Sequence, residues 1–168
     1  MSEEQDKSLM PFGNREIYIL LVDDVPVARY FVDYQRRMQG APKYYRAEVE
    51  YENLFVNDPN STYLHKGYTH RGLKTLSNHL LSKNIPCLFL SINDDNEVSK
   101  HVALKSGYNE AKSSFCLFHP NAVELYAQAI EPVREKISDS KFEGELEAFS
   151  NLIDSINMEK YEEKSIKR

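Results

Sequence analysis

The stretch at residues 68–81, YTHRGLKTLSNHLL, constrains the fold more than any other part of this chain. Leucines at helical spacing predict an amphipathic helix, and Gly72 lies near its expected beginning. A helix N-terminus leaves backbone N–H groups unpaired and carries partial positive charge, which suits it to hold an anion. The stretch therefore predicts either a phosphate-binding helix start or an ordinary helix after a glycine turn. Basic or imidazole side chains crowd it, although the net charge of the chain is −5: His65, Lys66, His70, Arg71 and Lys74.

Segments of strand length lie on both sides of this helix. Residues 86–92 (PCLFLSI) are continuously apolar, as in a strand buried on both faces. A second helix is expected over residues 96–106, closed by Gly107. This order predicts an α/β fold with a mixed, mostly antiparallel central sheet flanked by helices. The predicted strands are residues 16–22, 27–34, 44–56, 86–92 and a stretch within 108–119.

The domain organisation follows from length and pattern. With 168 residues, the chain has the length of one domain with a proper core. We expect a disordered segment over residues 1–14, the α/β domain over 15–120 and a charged tail over 158–168. Residues 121–157 carry two apolar stripes at helical spacing, and each stripe must be buried. These C-terminal helices are expected to pack on the domain or to form the interface of a homodimer.

Composition excludes several classes of function. An acidic chain lacks the broad basic surface of a nucleic-acid binder, so no nucleic-acid partner is expected. No apolar run reaches membrane-spanning length and the N-terminus is polar, which predicts a cytoplasmic protein without a membrane partner. Cys87 and Cys116 lie in apolar runs and are expected to be reduced, buried side chains. No metal site is expected.

Two motifs resemble the GCN5-related N-acetyltransferase family. The segment NEVSKHVALKSGY at residues 96–108 is similar to the family's fourth-helix signature: an Asn, a small residue three positions on, and a final Gly-Tyr or Gly-Phe. The segment HRGLKT resembles the loop that holds the cofactor pyrophosphate. Gly72 fits that loop, whereas Thr69 stands where Gln or Arg is usual and Lys74 where Gly or Ala is usual. The order of strands, helices and motifs also fits the family.

The resemblance implies acetyl-coenzyme A as co-substrate and a place for it. Backbone N–H groups of residues 70–75 would hold the pyrophosphate. The pantetheine arm would run along the end of the family's fourth strand, where it parts from the fifth. That strand end is expected at residues 54–56, with residues 62–65 as a rival register. The implied cofactor-binding residues are Leu54, Phe55, Val56, His70, Arg71, Gly72, Leu73, Lys74, Thr75, Asn96 and Ser99.

The chemistry of amine acetylation needs further groups. An ammonium substrate must lose a proton, and the alternation of residues 44–52 puts three carboxylates on one strand face. Glu50 and Glu52 are nearest the expected parting of the strands and are the candidate bases, with Glu48 beside them. Asn93 ends the buried strand where the family often has a polar residue near the thioester. The backbone N–H groups near residues 55–56 are the expected oxyanion donors.

Departures from the family pattern leave the function open between two hypotheses. Many family members have a Tyr on the fourth helix that protonates the leaving thiolate, and Ala103 stands there. His101, Tyr126 and water are alternative acids. The leading hypothesis is an acetyl-CoA-dependent N-acetyltransferase in which an amine, on a small molecule or a protein, attacks the thioester directly. The alternative is a weak or inactive module that binds acyl-CoA or a partner protein. A bulky residue at Gly72 is expected to weaken binding without unfolding the domain.

Overall fold

The computed structural model describes residues 13–64, 66–93, 95–111 and 114–166. Within these residues, four α-helices and a 3₁₀ turn accompany the sheet: α1 Tyr68–Ser82, α2 Glu97–Lys105, α3 Ala122–Ile130, the turn Glu131–Val133, and α4 Asp139–Ile166. The strands are β1 Gly13–Val22, β2 Val25–Arg36, β3 Tyr44–Asn53, β4 Cys87–Leu90, β5 Asn109–Ala111 and β6 Ser114–Phe118.

The strands form one six-stranded sheet in the order β1-β2-β3-β4-β6-β5. Only β3 and β4 pair in parallel, and every other neighbouring pair is antiparallel. The β1–β2 hairpin turns at Asp23 and Asp24, which both have positive φ, as a tight hairpin of matching twist requires. The predicted mixed, mostly antiparallel sheet flanked by helices is confirmed.

The two faces of the sheet carry separate hydrophobic clusters. On one face, the α1 leucines Leu73 and Leu80 pack against β-strand residues such as Val32 and Leu88, and α2 adds Ala103. On the other face, α3 and α4 cover Cys87 and Cys116, which are free and buried as expected. The rings of Tyr126 and Phe149 stack there with centroids 4.0 Å apart. Burying Phe142, Phe149 and Ile156 contributes about 1.5–3 kcal/mol for each side chain.

Several predicted boundaries differ from the structure. Strand β3 ends at Asn53, so the expectation that it runs to residue 56 is wrong. Residues 61–64 lie in turns, which excludes the rival strand register for them; His65 lies outside the described residues. Helix α3 ends at Ile130 because Pro132 follows in the 3₁₀ turn, and helix α4 continues to Ile166. Of the segment predicted to be disordered, residues 13 and 14 begin β1 and residues 1–12 are not described.

Candidate functional site

A cleft opens where β3 and β4 part. Their parallel pairing covers only Ala47 to Val49 on β3 and Leu88 to Leu90 on β4. Strand β4 ends there, while β3 continues to Asn53 with β2 as its only described partner strand. The β4-side edge of β3 beyond Val49 therefore presents backbone groups that no described strand pairs with, and such groups require other partners.

A cavity of about 230 Å³ occupies this parting. It brings together side chains from β3, from the segment after β4 and from the start of α2, which are distant in sequence. Polar groups dominate its lining, in contrast to the apolar clusters on the two faces of the sheet. The lining residues are Val49, Glu50, Tyr51, Leu90, Ser91, Ile92, Asn93, Asn96 and Ser99.

Four residues singled out from the sequence share this cavity: Glu50, Asn93, Asn96 and Ser99. Glu50 is exposed and has no ion-pair or hydrogen-bond partner for its carboxylate among the described residues. Glu52 lies outside the cavity lining and pairs with Arg29 on the neighbouring strand. The two candidate bases therefore differ in what surrounds them, and the structure brings only Glu50 to the parting.

Residues 54–56, expected at the cofactor end of β3, lie instead in turns beyond it. The N–H of Leu54 donates to the Val27 carbonyl at 2.8 Å. Those of Phe55 and Val56 donate to the Asn53 side-chain Oδ1 at 2.8 Å and to its carbonyl at 3.3 Å. Because these donors are already engaged, the expectation that residues 55–56 supply the oxyanion donors is wrong.

Helix α1 begins one turn earlier than its glycine motif suggests. Gly67 is the N-cap in the left-handed conformation, with φ of 75°, and it provides no side-chain cap. The first four N–H groups of a helix, here those of residues 67–70, lack intrahelical partners. The N–H of Arg71 already bonds to the Gly67 carbonyl at 3.1 Å. Of the residues expected to hold pyrophosphate through backbone N–H groups, only His70 is thus at the open end, and residues 71–75 lie within the helix.

Gly72 serves a different purpose from the one its motif suggests. Its φ is not positive, and a Cβ at this position would lie 2.3 Å from Oη of Tyr30 and 3.2 Å from Leu20 Cδ2. The Tyr30 hydroxyl donates to the Thr69 carbonyl at 2.9 Å, and Asn53 Nδ2 donates to Thr69 Oγ1 at 3.1 Å. The glycine permits close approach of α1 to β2, and these bonds hold the helix start against the end of β3.

Positive charge gathers around the α1 start. Burial lowers the pKa of His70, with smaller contributions from the neighbouring cations Lys105, Lys74 and Arg71. Nδ1 of His70 lies 3.0 Å from Oγ of Ser106, which connects the start of α1 to the end of α2. Cationic side chains beside helix N–H groups that lack intrahelical partners favour an anion at this position.

At the start of helix α2, a side chain of the helix's own N-cap residue satisfies a backbone N–H group. Asn96 Oδ1 accepts a hydrogen bond from the Ser99 N–H at 3.1 Å, which is the N-cap interaction weighed for it from the sequence. Asn96 still lines the cavity. The Ser99 carbonyl accepts a hydrogen bond from the Tyr51 hydroxyl at 3.2 Å, across the cavity from β3 to α2.

Tyr51 is a cavity residue that sequence reasoning missed. In the alternation of residues 44–52 it falls on the face opposite the three carboxylates, together with Ala47 and Val49, which indicates only a core residue. Of the alternative acids, Tyr126 lies in the cluster on the other face of the sheet, with its hydroxyl on Glu145 at 2.9 Å. His101 is exposed on α2 and does not line the cavity.

A larger cavity, of about 450 Å³, lies under α1 on the β1–β2 side. Its lining is mainly apolar and aromatic, with Tyr18, Leu20, Tyr30 and Leu76 among its residues. It holds no carboxylate that could serve as a base. The smaller, polar cavity is therefore the better candidate for an active site, despite its smaller volume.

Two further features of the described residues bear on function. They contain no cluster of three or more His, Cys, Asp or Glu side chains arranged to hold a metal ion. Within the same part of the chain, no helix combines the length and apolarity needed to cross a bilayer.

Solved acetyltransferase structures share this architecture. Aminoglycoside acetyltransferase AAC(6')-Ib in complex with coenzyme A and kanamycin aligns with a TM-score of 0.54 and 12% identity, over 79% of this chain and 78% of its own. RimJ of Mycobacterium smegmatis in complex with CoA-disulfide aligns with a TM-score of 0.51 and 11% identity, over 77% and 65%. An N-acetyltransferase from Staphylococcus aureus Mu50 aligns with a TM-score of 0.50 and 16% identity, over 62% of this chain and 67% of its own.

These likenesses concern the fold. No protein-family model and no curated protein sequence matches the chain. The chain has the fold of the GCN5-related N-acetyltransferases, which confirms the fold predicted from the two motifs.

Proposed function

We propose that this protein is an acetyl-CoA-dependent N-acetyltransferase that transfers the acetyl group to an amine by direct attack on the thioester. The observation that carries the proposal is the parting of β3 and β4, where an unpaired strand edge adjoins a carboxylate without a partner among the described residues, and where the start of α1 lies against the end of β3. An acyltransferase needs those three elements together.

The chain's own residues fit a cofactor of this kind. The N–H groups of residues 67–70, which have no acceptor among the described residues, would hold the pyrophosphate together with the side chains of Arg71 and Lys74. The unpaired edge of β3 beyond Val49 would bond the pantetheine amides and supply oxyanion donors in place of residues 55–56. Asn96 and Ser99 would line the thioester end. When bound, acetyl-CoA supplies an acetyl group activated as a thioester.

Glu50 is the proposed general base. It lines the cavity, and no described cation or donor occupies its carboxylate, so the carboxylate is free to accept a proton from an incoming ammonium. Ser91 donates to Glu48 at 3.2 Å and Arg29 holds Glu52, which leaves those two carboxylates engaged. Asn93 stands at the end of the segment after β4, where its amide can orient the acceptor or the thioester.

The solved neighbours support an amine acceptor. AAC(6')-Ib was crystallised with coenzyme A together with kanamycin, an aminoglycoside. A negatively charged Glu50 beside the thioester end favours a cationic amine on the same electrostatic ground. The proposed acceptor is therefore a small molecule or protein that presents a primary amine.

A second candidate is a module that binds acyl-CoA without transferring the acyl group. Ala103 favours it, because this buried methyl group stands where many family members have a phenol. Titration with coenzyme A and release of free thiol separate the two candidates, because a binding module shows the first and not the second.

The test compares three proteins in thiol release from acetyl-CoA with a panel of amines. For Glu50→Gln we expect kcat to fall by about 10²-fold or more at saturating amine, since a general base typically contributes that much. Glu52→Gln is the matched control on the same strand face and should keep nearly full turnover. Full turnover by Glu50→Gln would exclude Glu50 as the base. A wild-type protein that binds acetyl-CoA but releases no thiol with any amine would favour the binding module.

A further inference from the structure

We propose that Tyr51 is the general acid of the transfer, donating the proton of its Oη to the departing thiolate. The inference rests on the proposed acetyltransferase function and adds the acid that the sequence leaves unassigned. It is carried by the place of the Tyr51 hydroxyl in the cavity between β3 and α2.

The hydroxyl of Tyr51 reaches across the parting of the strands. Tyr51 lies on β3 two residues beyond Val49, the last β3 residue paired with β4. From there its Oη donates a hydrogen bond of 3.2 Å to the carbonyl of Ser99, in the first turn of α2. The Tyr51 phenol therefore bridges the β3 side and the α2 side of the cavity.

This is also where a phenol carried by α2 would bring its hydroxyl. Side chains on a helix lean toward the N-terminus, over the turn that precedes their own Cα. A tyrosine at position 103 would thus extend alongside residue 99, one turn earlier. Ala103 is fully buried and Ser99 is small, so α2 leaves room for a ring that arrives from β3 instead. The strand supplies the group that the helix lacks.

The protonation state of Tyr51 suits this role. Burial raises the pKa of Tyr51 above the ordinary value of a phenol, so it carries its proton at neutral pH. As the amine nitrogen forms the C–N bond, the C–S electron pair stays on sulfur, and Oη of Tyr51 gives its proton to that sulfur. The nitrogen loses one proton as the amide forms, and an equivalent proton returns to Tyr51 through Glu50 and solvent. Atoms and charge balance without another reagent.

A purely structural role for Tyr51 can be tested with a matched control, Tyr108. Tyr108 packs in the same hydrophobic cluster, and its hydroxyl lies 2.8 Å from Oγ of Ser77. Tyr108 lines neither of the two cavities described above, and it is not among the residues proposed to bind the cofactor. Removing either hydroxyl deletes one hydrogen bond and keeps the ring, whereas only the Tyr51 hydroxyl lies at the cavity where the leaving group is proposed to bind.

The experiment compares wild type, Tyr51→Phe and Tyr108→Phe after their melting temperatures have shown that each is folded. For Tyr51→Phe we expect kcat to fall by about 10²-fold with the KM for acetyl-CoA nearly unchanged, because an acid acts on the leaving group and not on binding. Tyr108→Phe should keep kcat within a few-fold. Equal losses in both variants would overturn the inference, because that pattern reports packing alone.

A second readout does not depend on turnover. Calorimetry with coenzyme A and with desulfo-coenzyme A, which lacks the thiol, measures whether each protein senses the sulfur. Wild type and Tyr108→Phe should prefer coenzyme A, and Tyr51→Phe should lose that preference. An unchanged preference in Tyr51→Phe would overturn the inference. If the wild type transfers to no amine, the proposed function fails, and this calorimetric comparison still decides whether Tyr51 contacts the sulfur.

Discussion

The starts of α1 and α2 differ in the groups that surround their first backbone N–H groups. At α2, the Asn96 side chain caps the Ser99 N–H, and Glu97 places a carboxylate in the first turn. At α1, Gly67 offers no side chain, the first turn holds no acidic residue, and cations such as Arg71 stand near. In both helices, the first N–H groups lack intrahelical partners and the N-terminus carries partial positive charge, so both starts need acceptors or anions nearby.

The difference teaches which helix start is free for a ligand. The α2 start draws its partners from its own chain, so its contribution to the fold is complete without any bound anion. The α1 start is held in place by contacts from Thr69 and Gly72 to the sheet, while its first N–H groups have no acceptor in the described part of the chain. Three predictions test this contrast, from the largest expected effect to the smallest.

The largest effect is expected at Gly72. For Gly72→Ala we expect the free energy of unfolding to fall by about 1–3 kcal/mol, because the added Cβ would meet the Tyr30 hydroxyl and force α1 away from the sheet. This replaces the expectation that a larger residue at Gly72 blocks a ligand and leaves stability intact. Urea denaturation measures the change.

The control for this prediction is Gly144→Ala on helix α4, where an added Cβ meets nothing within 4 Å. It should stabilise the protein by roughly 0.5–1 kcal/mol, because alanine is the better helix former. Equal effects of the two substitutions would show that the close approach of α1 to Tyr30 does not influence the free energy of unfolding.

A smaller effect is expected at the closed helix start. Asn96→Ala should lower the free energy of unfolding by about 1 kcal/mol, since it removes the acceptor for the Ser99 N–H. Asn96→Asp keeps an acceptor oxygen and should retain most of that stability. If urea denaturation finds no loss in the alanine variant, the α2 start does not depend on its cap.

The smallest effect is a pH dependence at the open helix start. Because the pKa of His70 is lowered in the fold, the unfolded chain takes up its proton first as pH falls below the ordinary value of about 6.5. Stability should therefore be lost from about pH 6.5 down toward the lower folded-state pKa. The melting temperature of His70→Gln should vary less over this window than that of wild type.

The same pH series with coenzyme A present tests whether the α1 start is the one that holds the ligand. A phosphate group held beside His70 favours the charged imidazolium, so coenzyme A should reduce the pH dependence of wild type. Coenzyme A that leaves the wild-type profile unchanged, at a concentration shown to saturate binding, would mean that the phosphates lie away from the α1 start.

The sequence by itself determined the elements and their order. Alternation and apolar runs depend on the local backbone period, so the first two strands, the buried strand and the helix around Leu73 could be predicted from them. The cap at Asn96 was readable too, because a cap acts within three residues of itself. Motif spacing indicated that Asn93, Asn96 and Ser99 stand near one another, and the cavity contains all three.

Only the tertiary structure decided where β3 parts from β4. That point depends on pairing between segments about 40 residues apart, which no local period records; it falls after Val49 and not near residues 54–56. The same pairing brings Glu50 to the cavity while Arg29, from the neighbouring strand, holds Glu52. It also turns Tyr51, a core residue by its alternation, toward the carbonyl of Ser99 on α2. A side chain's partners across a sheet are set by long-range register, and register is decided when the whole core packs.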